Sequence, residues 1–240
     1  MAKTDNVLFI DIETVSQSEG LFGLNERWVA LFERKIRYLH EREPEKTLEQ
    51  LYREKAAIFS EFGKIICICV GRVQDESLKM KSFGHGDEKE LLTAFFDWFG
   101  QRYKDPQRQK LCGHNIREFD LPYICRRAVI HGMELPGMFQ VGDRKPWELR
   151  HIVDTLDLWK FGDQKNYISL DLLAACLGLD SPKSDLDGSK VGAVYYESGD
   201  VRRIARYCAN DVWVTTNVFR KLNAMPPVPF EESQYAFVDA

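Results

Sequence analysis

Two carboxylates at the end of a predicted strand are the first residues of the chain that could do chemistry. Asp11 and Glu13 follow the apolar run "VLFI" and are separated by Ile12. Four consecutive apolar residues are typical of a central strand that is covered on both faces. Alternate side chains of a strand share one face, so the two carboxylates would lie side by side. Like charges this close repel and raise each other's pKa, and a divalent metal ion between them would relieve the repulsion.

Two later motifs supply further carboxylates. In "GHNIREFDLPYI", Asn115 precedes Asp120 where a short predicted strand gives way to a helix. In "YCAND", Tyr207 and Asp211 are one helical turn apart and therefore lie on one face of the last long predicted helix. A lone acid on a helix is usually a solvated surface residue, so each motif is weak by itself. The ordered combination of D-x-E, N-x4-D and Y-x3-D is far more specific, and it predicts a site with four carboxylates.

The elements that must position these residues alternate between strands and helices. Strands are predicted at the first motif, at "KIICICVGRV" and "SLKMKSFG", which form a hairpin, at "KLCGHN" and at residues 150–154. Helices are predicted between them, with Asn25 and Asp87 as N-caps and Thr47 with Gln50 as a capping box. This alternation predicts an α/β fold built on a mixed sheet.

Composition limits the class of protein. The chain has 240 residues and a net charge of −4. The length suits one domain with an insertion, and the charge argues weakly against a general nucleic-acid coating protein, which would be basic. No segment approaches the length of a membrane span, and the N-terminus lacks the apolar core of a secretory signal. The six cysteines never form C-x-x-C, which favours buried, reduced thiols in a cytoplasmic protein over zinc ligands or disulfides.

The ordered motifs resemble those of the DEDD superfamily of 3′–5′ exonucleases. The stretch "FIDIET" is similar to the first exonuclease motif of family B DNA polymerases, and "FDLPYI" after "HNI" is similar to the second. One branch of the superfamily places His five residues before the final Asp, and the other places Tyr four residues before it. Here Arg206 occupies the His position and Tyr207 is present, so the chain resembles the tyrosine branch. The resemblance covers most of residues 7–220, and the chain looks like a stand-alone relative of the proofreading domain.

The resemblance implies a ribonuclease H-like fold with a five-stranded mixed sheet and helices on both faces. It implies a single exonuclease domain over residues 1–222, with a helical insertion after the first strand at residues 16–62. A Pro-rich tail at residues 223–240 would be loosely held. The insertion mixes acidic and basic residues, so it is interpreted either as a solvated hairpin at the domain edge or as a lid over the first motif.

The resemblance also implies hydrolysis of phosphodiester bonds with two divalent metal ions, Mg²⁺ or Mn²⁺. These ions prefer hard oxygen ligands, and the cluster suits them better than zinc because it lacks His and Cys. By resemblance, Asp11 bridges both ions and Asp120 supports the second. Glu13 and Asp211 complete the ion that activates water. Tyr207 would orient the attacking water, because an ordinary tyrosine pKa of about 10 makes a poor base at neutral pH.

The same resemblance implies contacts with the 3′ end of single-stranded DNA, which would be released as nucleoside 5′-monophosphates. The Thr14 backbone would lie near the terminal 3′ hydroxyl, while Asn115 and Phe119 would touch the last nucleotides. Phe119 could equally be a core residue at the start of a helix. For His114, a structural hydrogen-bonding role is the alternative to substrate contact.

Basic residues in two segments are candidates for phosphate contacts. Lys145 lies with Arg144 and Arg150 before the fifth predicted strand. Lys183 and Lys190 lie in the loop "SPKSDLDGSK" and are rival candidates. Each of them, taken alone, could instead be solvated surface.

Three other functions stay open on the sequence. A ribonuclease of the same branch would use the same residues, because the reaction at the phosphate barely depends on the sugar. A ribonuclease H-like endonuclease would also cluster carboxylates, but it has no role for Tyr207 beside Asp211. A nucleic-acid-binding or partner-docking module could keep the fold after losing activity, although none of the four carboxylates is missing here.

Overall fold

The computed structural model describes residues 4–163, 165, 167–179 and 186–239. Within this part of the chain the strands are β1 (Val7–Ser16), β2 (Gly63–Gln74), β3 (Ser77–Gly84), β4 (Lys110–Gly113), β5 (Ile152–Asp154) and β6 (Tyr235–Asp239). They form one sheet in the order β5-β4-β1-β2-β3-β6. β2 is antiparallel to β1 and β3, β4 is parallel to β1 and β5, and β6 is parallel to β3. The predicted α/β class with a mixed sheet is confirmed.

Helices cover both faces of this sheet, as predicted. Those in the described residues are α1 (Glu26–Arg42), α2 (Leu48–Lys55), α3 (Glu88–Arg102), α4 (Asp120–Ile130), α5 (Thr155–Lys160), α6 (Leu170–Cys176), α7 (Val191–Ser198) and α8 (Val201–Leu222). Helices α3 and α4 pack on one face, and α8 packs on the other. The predicted caps are confirmed: Asn25 accepts from the Trp28 N–H, and Thr47 with Gln50 forms the capping box. None of these helices is long and apolar enough to cross a membrane.

β1 lies between the two helical layers. Leu8 and Ile10 belong to the core that the strand shares with α3 and α4. Phe9 belongs to the core on the other face and contacts α8, with its ring 5.5 Å from that of Phe219. Since side chains alternate, Asp11 lies on the Phe9 face, toward α8. The burial of both faces explains the unbroken apolar run at the start of the strand.

The prediction of five strands and a loosely held tail is wrong at the C-terminal end. Tyr235–Asp239 adds a sixth strand to the edge of the sheet beside Met80–Gly84. Before it, the carbonyl of Val228 accepts hydrogen bonds from the Trp213 indole N–H at 2.8 Å and from the Asn217 amide at 3.0 Å. The prolines predict irregular backbone, but side chains of α8 form hydrogen bonds with that backbone and hold the tail in place.

The segment predicted as a helical insertion has a small core of its own. Helices α1 and α2 pack together through buried apolar side chains: Phe32, Ile36, Leu51, Tyr52, Ala56 and Phe62. The segment joins the sheet where the Gln17 N–H donates to the Phe62 carbonyl at 2.8 Å. It is therefore a packed unit fixed to the end of β1.

A buried ion pair ties this segment to α3 and α4. Arg127 donates from its Nε to the Glu88 carboxylate at 3.0 Å and from Nη1 to the Ser60 carbonyl at 2.9 Å. Glu88 also accepts from the Ile65 N–H at 2.6 Å and contacts His131 Nε2 at 2.8 Å. Both partners of the pair are about 95% buried, so neither charge can be satisfied by water if the other is removed.

We therefore predict that Arg127→Met destabilises the fold by about 3–5 kcal/mol, because it leaves the buried Glu88 carboxylate without its guanidinium partner. Urea unfolding followed by circular dichroism measures the change. Arg108→Met is the matched control, because it breaks an exposed pair with Asp105 and should leave the unfolding midpoint almost unchanged. Equal midpoints for both variants would contradict the structural role of this pair.

Candidate active site

Asp11 and Glu13 lie where β1 leaves the centre of the sheet. Glu13 is buried and Asp11 is half-buried. Opposite them on β2 lie Cys69 and Cys67, so the strand ladder fixes the spacing of the two acids. The register with β2 shifts between Glu13 and Thr14, and bulges of this kind re-aim side chains beside active sites.

Asp120 comes to the same point from the first turn of α4. Its Oδ1 accepts a hydrogen bond from the backbone N–H of Ile12 at 3.1 Å, so the residue between the two β1 acids holds a third acid. Asp120 is 3% exposed. The positive end of the helix dipole favours a carboxylate in this position.

Helix α8 supplies the fourth acid. Tyr207 and Asp211 lie one turn apart, and the Tyr207 hydroxyl lies beside the Asp211 carboxylate and lowers its pKa. Between them in sequence, Cys208 points at β1 and its thiol lies 3.3 Å from Asp11 Oδ2. The structure therefore brings together the four carboxylates and the tyrosine that the sequence motifs predicted.

Arg206, next to Tyr207, turns away from the acids. It forms an ion pair with Glu232, and its guanidinium lies 4.2 Å from the centre of the Phe230 ring. Both partners belong to the C-terminal segment. The side chain at this position therefore holds the tail and takes no part in the acidic cluster.

Burial raises the pKa values of all four acids, and repulsion raises them further, from within the cluster for Asp11, Glu13 and Asp120 and from Asp171 for Asp211. Burial is the largest cause for each, and it raises the pKa of Asp120 to about 7 and that of Asp211 to about 6. The pKa of Asp11 is raised well above its usual value, with repulsion from Asp120, Asp211 and Glu13 following burial. The pKa of Glu13 is raised well above its usual value by burial, then by Asp211 and Asp120. The four carboxylates thus act on one another as a single coupled group.

The same surroundings keep the Tyr207 hydroxyl protonated. Burial raises its pKa, and the neighbouring Asp211, Glu13 and Asp11 raise it further. A phenol in this state can donate a hydrogen bond and can accept one, but it cannot take a proton at neutral pH.

The cluster has the composition of a site for a divalent cation. Ligand atoms of Asp11, Glu13 and Cys208 lie within 4.8 Å of one another, and the carboxylates of Asp120 and Asp211 lie within electrostatic reach of them. The Cys208 thiol is a hydrogen-bond partner of Asp11 at 3.3 Å, and it brings a sulfur atom to the edge of a cluster that the sequence predicted to lack cysteine. Four oxygen-donating acids fit a hard ion such as Mg²⁺ or Mn²⁺.

Asp154, which the sequence motifs did not indicate, holds the loop that leads to Asp120. It ends β5 and is 3% exposed. Its Oδ1 accepts from the N–H groups of Asn115 at 2.8 Å and Leu156 at 3.0 Å, and its Oδ2 accepts from that of Arg117 at 3.1 Å. These bonds fix Asn115 in the left-handed region at φ 62°. The bond to Leu156 makes Asp154 the N-cap of α5, but no local sequence pattern marks its bonds to Asn115 and Arg117, which lie 39 and 37 positions away.

His114 has both ring nitrogens occupied inside the protein. Nε2 lies 2.9 Å from the Ile168 carbonyl and Nδ1 lies 2.9 Å from the Thr155 hydroxyl. A carbonyl only accepts, so Nε2 carries the proton, and burial lowers the pKa of the ring. These contacts favour the structural role over the predicted substrate contact, because neither nitrogen is left for a ligand.

Thr14 and Phe119 line a cleft beside Glu13. The cleft has a volume of about 770 Å³. The Phe119 ring lies 5.4 Å from that of Tyr123 and is only partly buried, so it packs on the core with one side and borders the cleft with another. Asn115 lies in the loop beside it, and its side-chain oxygen is buried without a hydrogen-bond partner in the described residues.

The structure does not bring the predicted phosphate-binding lysine to this cleft. Lys145 is exposed, and its ammonium lies 5.2 Å from the centre of the Trp147 ring. Arg144 pairs with Asp143, and Lys190 pairs with its neighbour Asp187 at 2.7 Å. Lys183 lies outside the described residues.

The architecture and the acidic cluster define an α/β protein of the ribonuclease H-like class. The family B DNA polymerase from the hyperthermophilic archaeon Pyrobaculum calidifontis has a similar structure, with a TM-score of 0.59 and 18% sequence identity. The similarity covers 90% of this chain and 24% of the polymerase chain, so this chain spans about a quarter of the polymerase's length. At this identity the likeness establishes the fold alone. No curated protein matches the sequence.

A family of predicted 3′–5′ exonucleases related to the exonuclease domain of PolB matches residues 58–237. The chain belongs to this family. Asp120, Tyr207 and Asp211 lie within the matched segment, whereas Asp11 and Glu13 precede it.

Because folding raises the pKa values of these acids, we predict that the stability of the protein in a chelator falls as the pH rises. An acid whose pKa is raised by folding keeps a proton that the unfolded chain has released, so stability falls as pH rises between the two values. The melting temperature should therefore fall as the pH rises from about 4, the ordinary pKa of an aspartate. The fall should continue past the pKa of Asp211 at about 6 and that of Asp120 at about 7. Each titrating group contributes about 1.4 kcal/mol per pH unit.

Differential scanning calorimetry across this range measures the effect. Saturating Mg²⁺ should abolish the fall, and Asp120→Asn should flatten it, because that variant removes one of the titrating groups. A flat profile for the unaltered protein in chelator would contradict the coupling of the four acids.

Asp154→Asn should loosen the loop before Asp120. An amide offers one acceptor where the carboxylate offers two, so at least one of the three backbone N–H groups loses its partner at a cost of about 1–3 kcal/mol. We expect lower stability together with weaker Mn²⁺ binding, measured by urea unfolding and calorimetry. Asp163→Asn is the control, because Asp163 lies just after α5, is exposed, and accepts a hydrogen bond from the nearby Lys165 N–H at 3.0 Å. Unchanged Mn²⁺ affinity in Asp154→Asn would contradict the positioning role.

Proposed function

We propose that this protein is a two-metal 3′–5′ exonuclease that removes nucleoside 5′-monophosphates from the 3′ end of single-stranded DNA. The observation that carries the proposal is the cluster of four carboxylates, two buried and two half-buried, with a protonated tyrosine beside it. Membership of the exonuclease family supports degradation in the 3′–5′ direction. Single-stranded DNA is preferred over RNA as the substrate because the matching family is related to the exonuclease domain of PolB, and the structure is similar to that of a family B DNA polymerase.

Asp11, Glu13, Asp120 and Asp211 would hold two Mg²⁺ or Mn²⁺ ions. Such ions, when bound, polarise the phosphate and lower the pKa of the attacking water. The protein contributes fixed carboxylate positions, because the Ile12 N–H holds Asp120 and the Cys208 thiol holds Asp11.

Tyr207 would orient the attacking water. Its hydroxyl would donate to the neighbouring Asp211 carboxylate, which would leave the phenol oxygen free to accept a hydrogen bond from that water. Because the pKa of this phenol is raised, proton abstraction falls to another group. Tyr207 is thus assigned to positioning.

A degradation assay on 5′-labelled single-stranded DNA and RNA of equal sequence tests the proposal. We expect a ladder that shortens from the 3′ end in Mg²⁺ or Mn²⁺ and disappears in chelator, with DNA degraded faster than RNA. Asp211→Asn should abolish the ladder. Tyr207→Phe should keep a rate about 100-fold lower, because it misplaces the water without removing the carboxylates. Tyr103→Phe, far from the cluster at the end of α3, is the matched control and should be fully active.

Each other outcome selects a different function. Faster degradation of RNA would make the protein an exoribonuclease, and internal cuts would make it an endonuclease. Binding of strands without cleavage would indicate an inactive binding module. An active Asp211→Asn variant would contradict the metal assignment, and full activity of Tyr207→Phe would remove its positioning role.

A further inference from the structure

Four basic side chains lie together on the face of the sheet that carries α3, and they are named here the basic patch. Arg72 belongs to β2, Lys79 and Lys81 belong to β3, and Arg102 lies in the last turn of α3. Side chains alternate along a strand, so both lysines lie on the same face as Phe83, which packs in the core beside α3.

The sheet places two of these charges directly opposite each other. Arg72 and Lys79 are partners in the ladder between β2 and β3, and Lys81 lies two positions further along the same face. Like charges in directly opposite positions destabilise a sheet. A lysine at an unpaired edge protects the sheet from aggregation, and β6 pairs with β3 only from Met80 onward. That role does not account for Arg72, because β2 lies between β1 and β3.

Two aromatic residues of α3 join the four charges into one surface. The Trp98 ring lies 5.9 Å from the Lys81 ammonium and 5.2 Å from the Arg102 guanidinium, so it holds both cations by cation–π attraction. Burial raises the pKa of the Tyr103 hydroxyl, and the charges of Arg72 and Arg102 both lower it. Trp98 is only partly buried, so the patch also presents an aromatic surface between its cations.

Ion pairs do not neutralise this surface. Within the part of the chain that the structure describes, Lys79, Lys81 and Arg102 form no ion pair with an acid. Glu76, in the turn that joins β2 to β3, pairs with Arg220 of α8 instead. The chain as a whole has a net charge of −4, so the patch is a local concentration of positive charge on an acidic protein.

The basic patch is separate from the acidic cluster. Asp11 lies on the face of the sheet toward α8, whereas the patch lies on the face toward α3. Along β2, Arg72 is three positions beyond Cys69, the partner of Asp11, which is a distance of about 10 Å along the strand. A DNA strand whose 3′ end lies at the acids therefore reaches the patch only with nucleotides further from that end.

We propose that the basic patch binds the phosphate backbone of single-stranded DNA at nucleotides distant from the 3′ end that is degraded. Cations interleaved with an accessible aromatic ring are the arrangement by which proteins hold single strands without reading their sequence. The inference rests on the proposed function, which supplies the strand. The patch would raise the affinity for long strands and would take no part in the reaction.

Lys79→Gln combined with Arg102→Gln tests the patch by removing two exposed charges. The probe is fluorescently labelled single-stranded DNA of about 30 nucleotides, longer than the usual binding site for single strands. Its binding is measured by anisotropy in a chelator, so that no strand is degraded. We expect affinity to fall about tenfold, and the slope of log K against log salt to lessen by about 1.4, at about 0.7 for each lost phosphate contact.

Two further variants separate the loss of charge at this place from a general effect. Lys89→Gln combined with Arg126→Gln is the matched control, because it removes two exposed cations from the same layer of α3 and α4 and should keep the affinity. Lys79→Arg combined with Arg102→Lys preserves both charges and should also bind like the unaltered protein. Loss of binding in this charge-preserving variant would contradict an electrostatic patch.

Degradation in Mn²⁺ gives a second measurement that depends on strand length. The ratio of kcat/KM for DNA of about 30 nucleotides to that for DNA of about 5 nucleotides, near the lower limit of a single-strand site, should fall about tenfold in Lys79→Gln with Arg102→Gln. An unchanged ratio would overturn the patch, as would an equal loss of affinity in the matched control.

The two measurements also distinguish the patch from the proposed function. If strands are degraded from the 3′ end but the patch variant binds long DNA normally, the patch fails while the proposed function stands. If long DNA binds through the patch but no strand is degraded in any metal, the proposed function fails while the patch stands.

Discussion

Repulsion among buried carboxylates at the end of β1 is the constraint on which the rest of the structure depends. For three of the four acids a neutral group offsets part of this cost: the Ile12 N–H for Asp120, the Cys208 thiol for Asp11 and the Tyr207 hydroxyl for Asp211. These donors do not restore ordinary pKa values. A positive ion remains the group that best completes the site, because it interacts with all four acids at once.

The scaffold resists this repulsion by fixing the acids from three directions. β1 is buried between α8 and the layer of α3 and α4, so its two acids cannot move apart without disturbing both cores. Asp154 fixes the loop that delivers Asp120. The buried pair of Glu88 and Arg127 joins α3 and α4 to the segment that walls the cleft. Stability elsewhere in the fold therefore supports an unfavourable arrangement at the site.

Local periodicity was sufficient to predict the site's geometry but not its surroundings. The period of two placed Asp11 and Glu13 on one face of β1, and the helical period placed Tyr207 beside Asp211; the structure confirms both placements. Their catalytic roles remain predictions. Local patterns do not predict strand β6 or the bonds by which Asp154 holds the loop before Asp120, because both depend on partners far away in sequence. Lys145 is predicted from its charge alone, and charge does not determine where a loop places its side chains.

Titration of the protein with Mn²⁺ by calorimetry at neutral pH tests the central claim most directly. The account predicts two ions per chain, with release of protons from the coupled acids as the ions bind. Asp11→Asn should bind fewer ions and should melt at a higher temperature than the unaltered protein in chelator, since one source of repulsion is gone. Absence of Mn²⁺ binding, or unchanged binding by Asp11→Asn, would contradict the claim that these buried acids form a metal site.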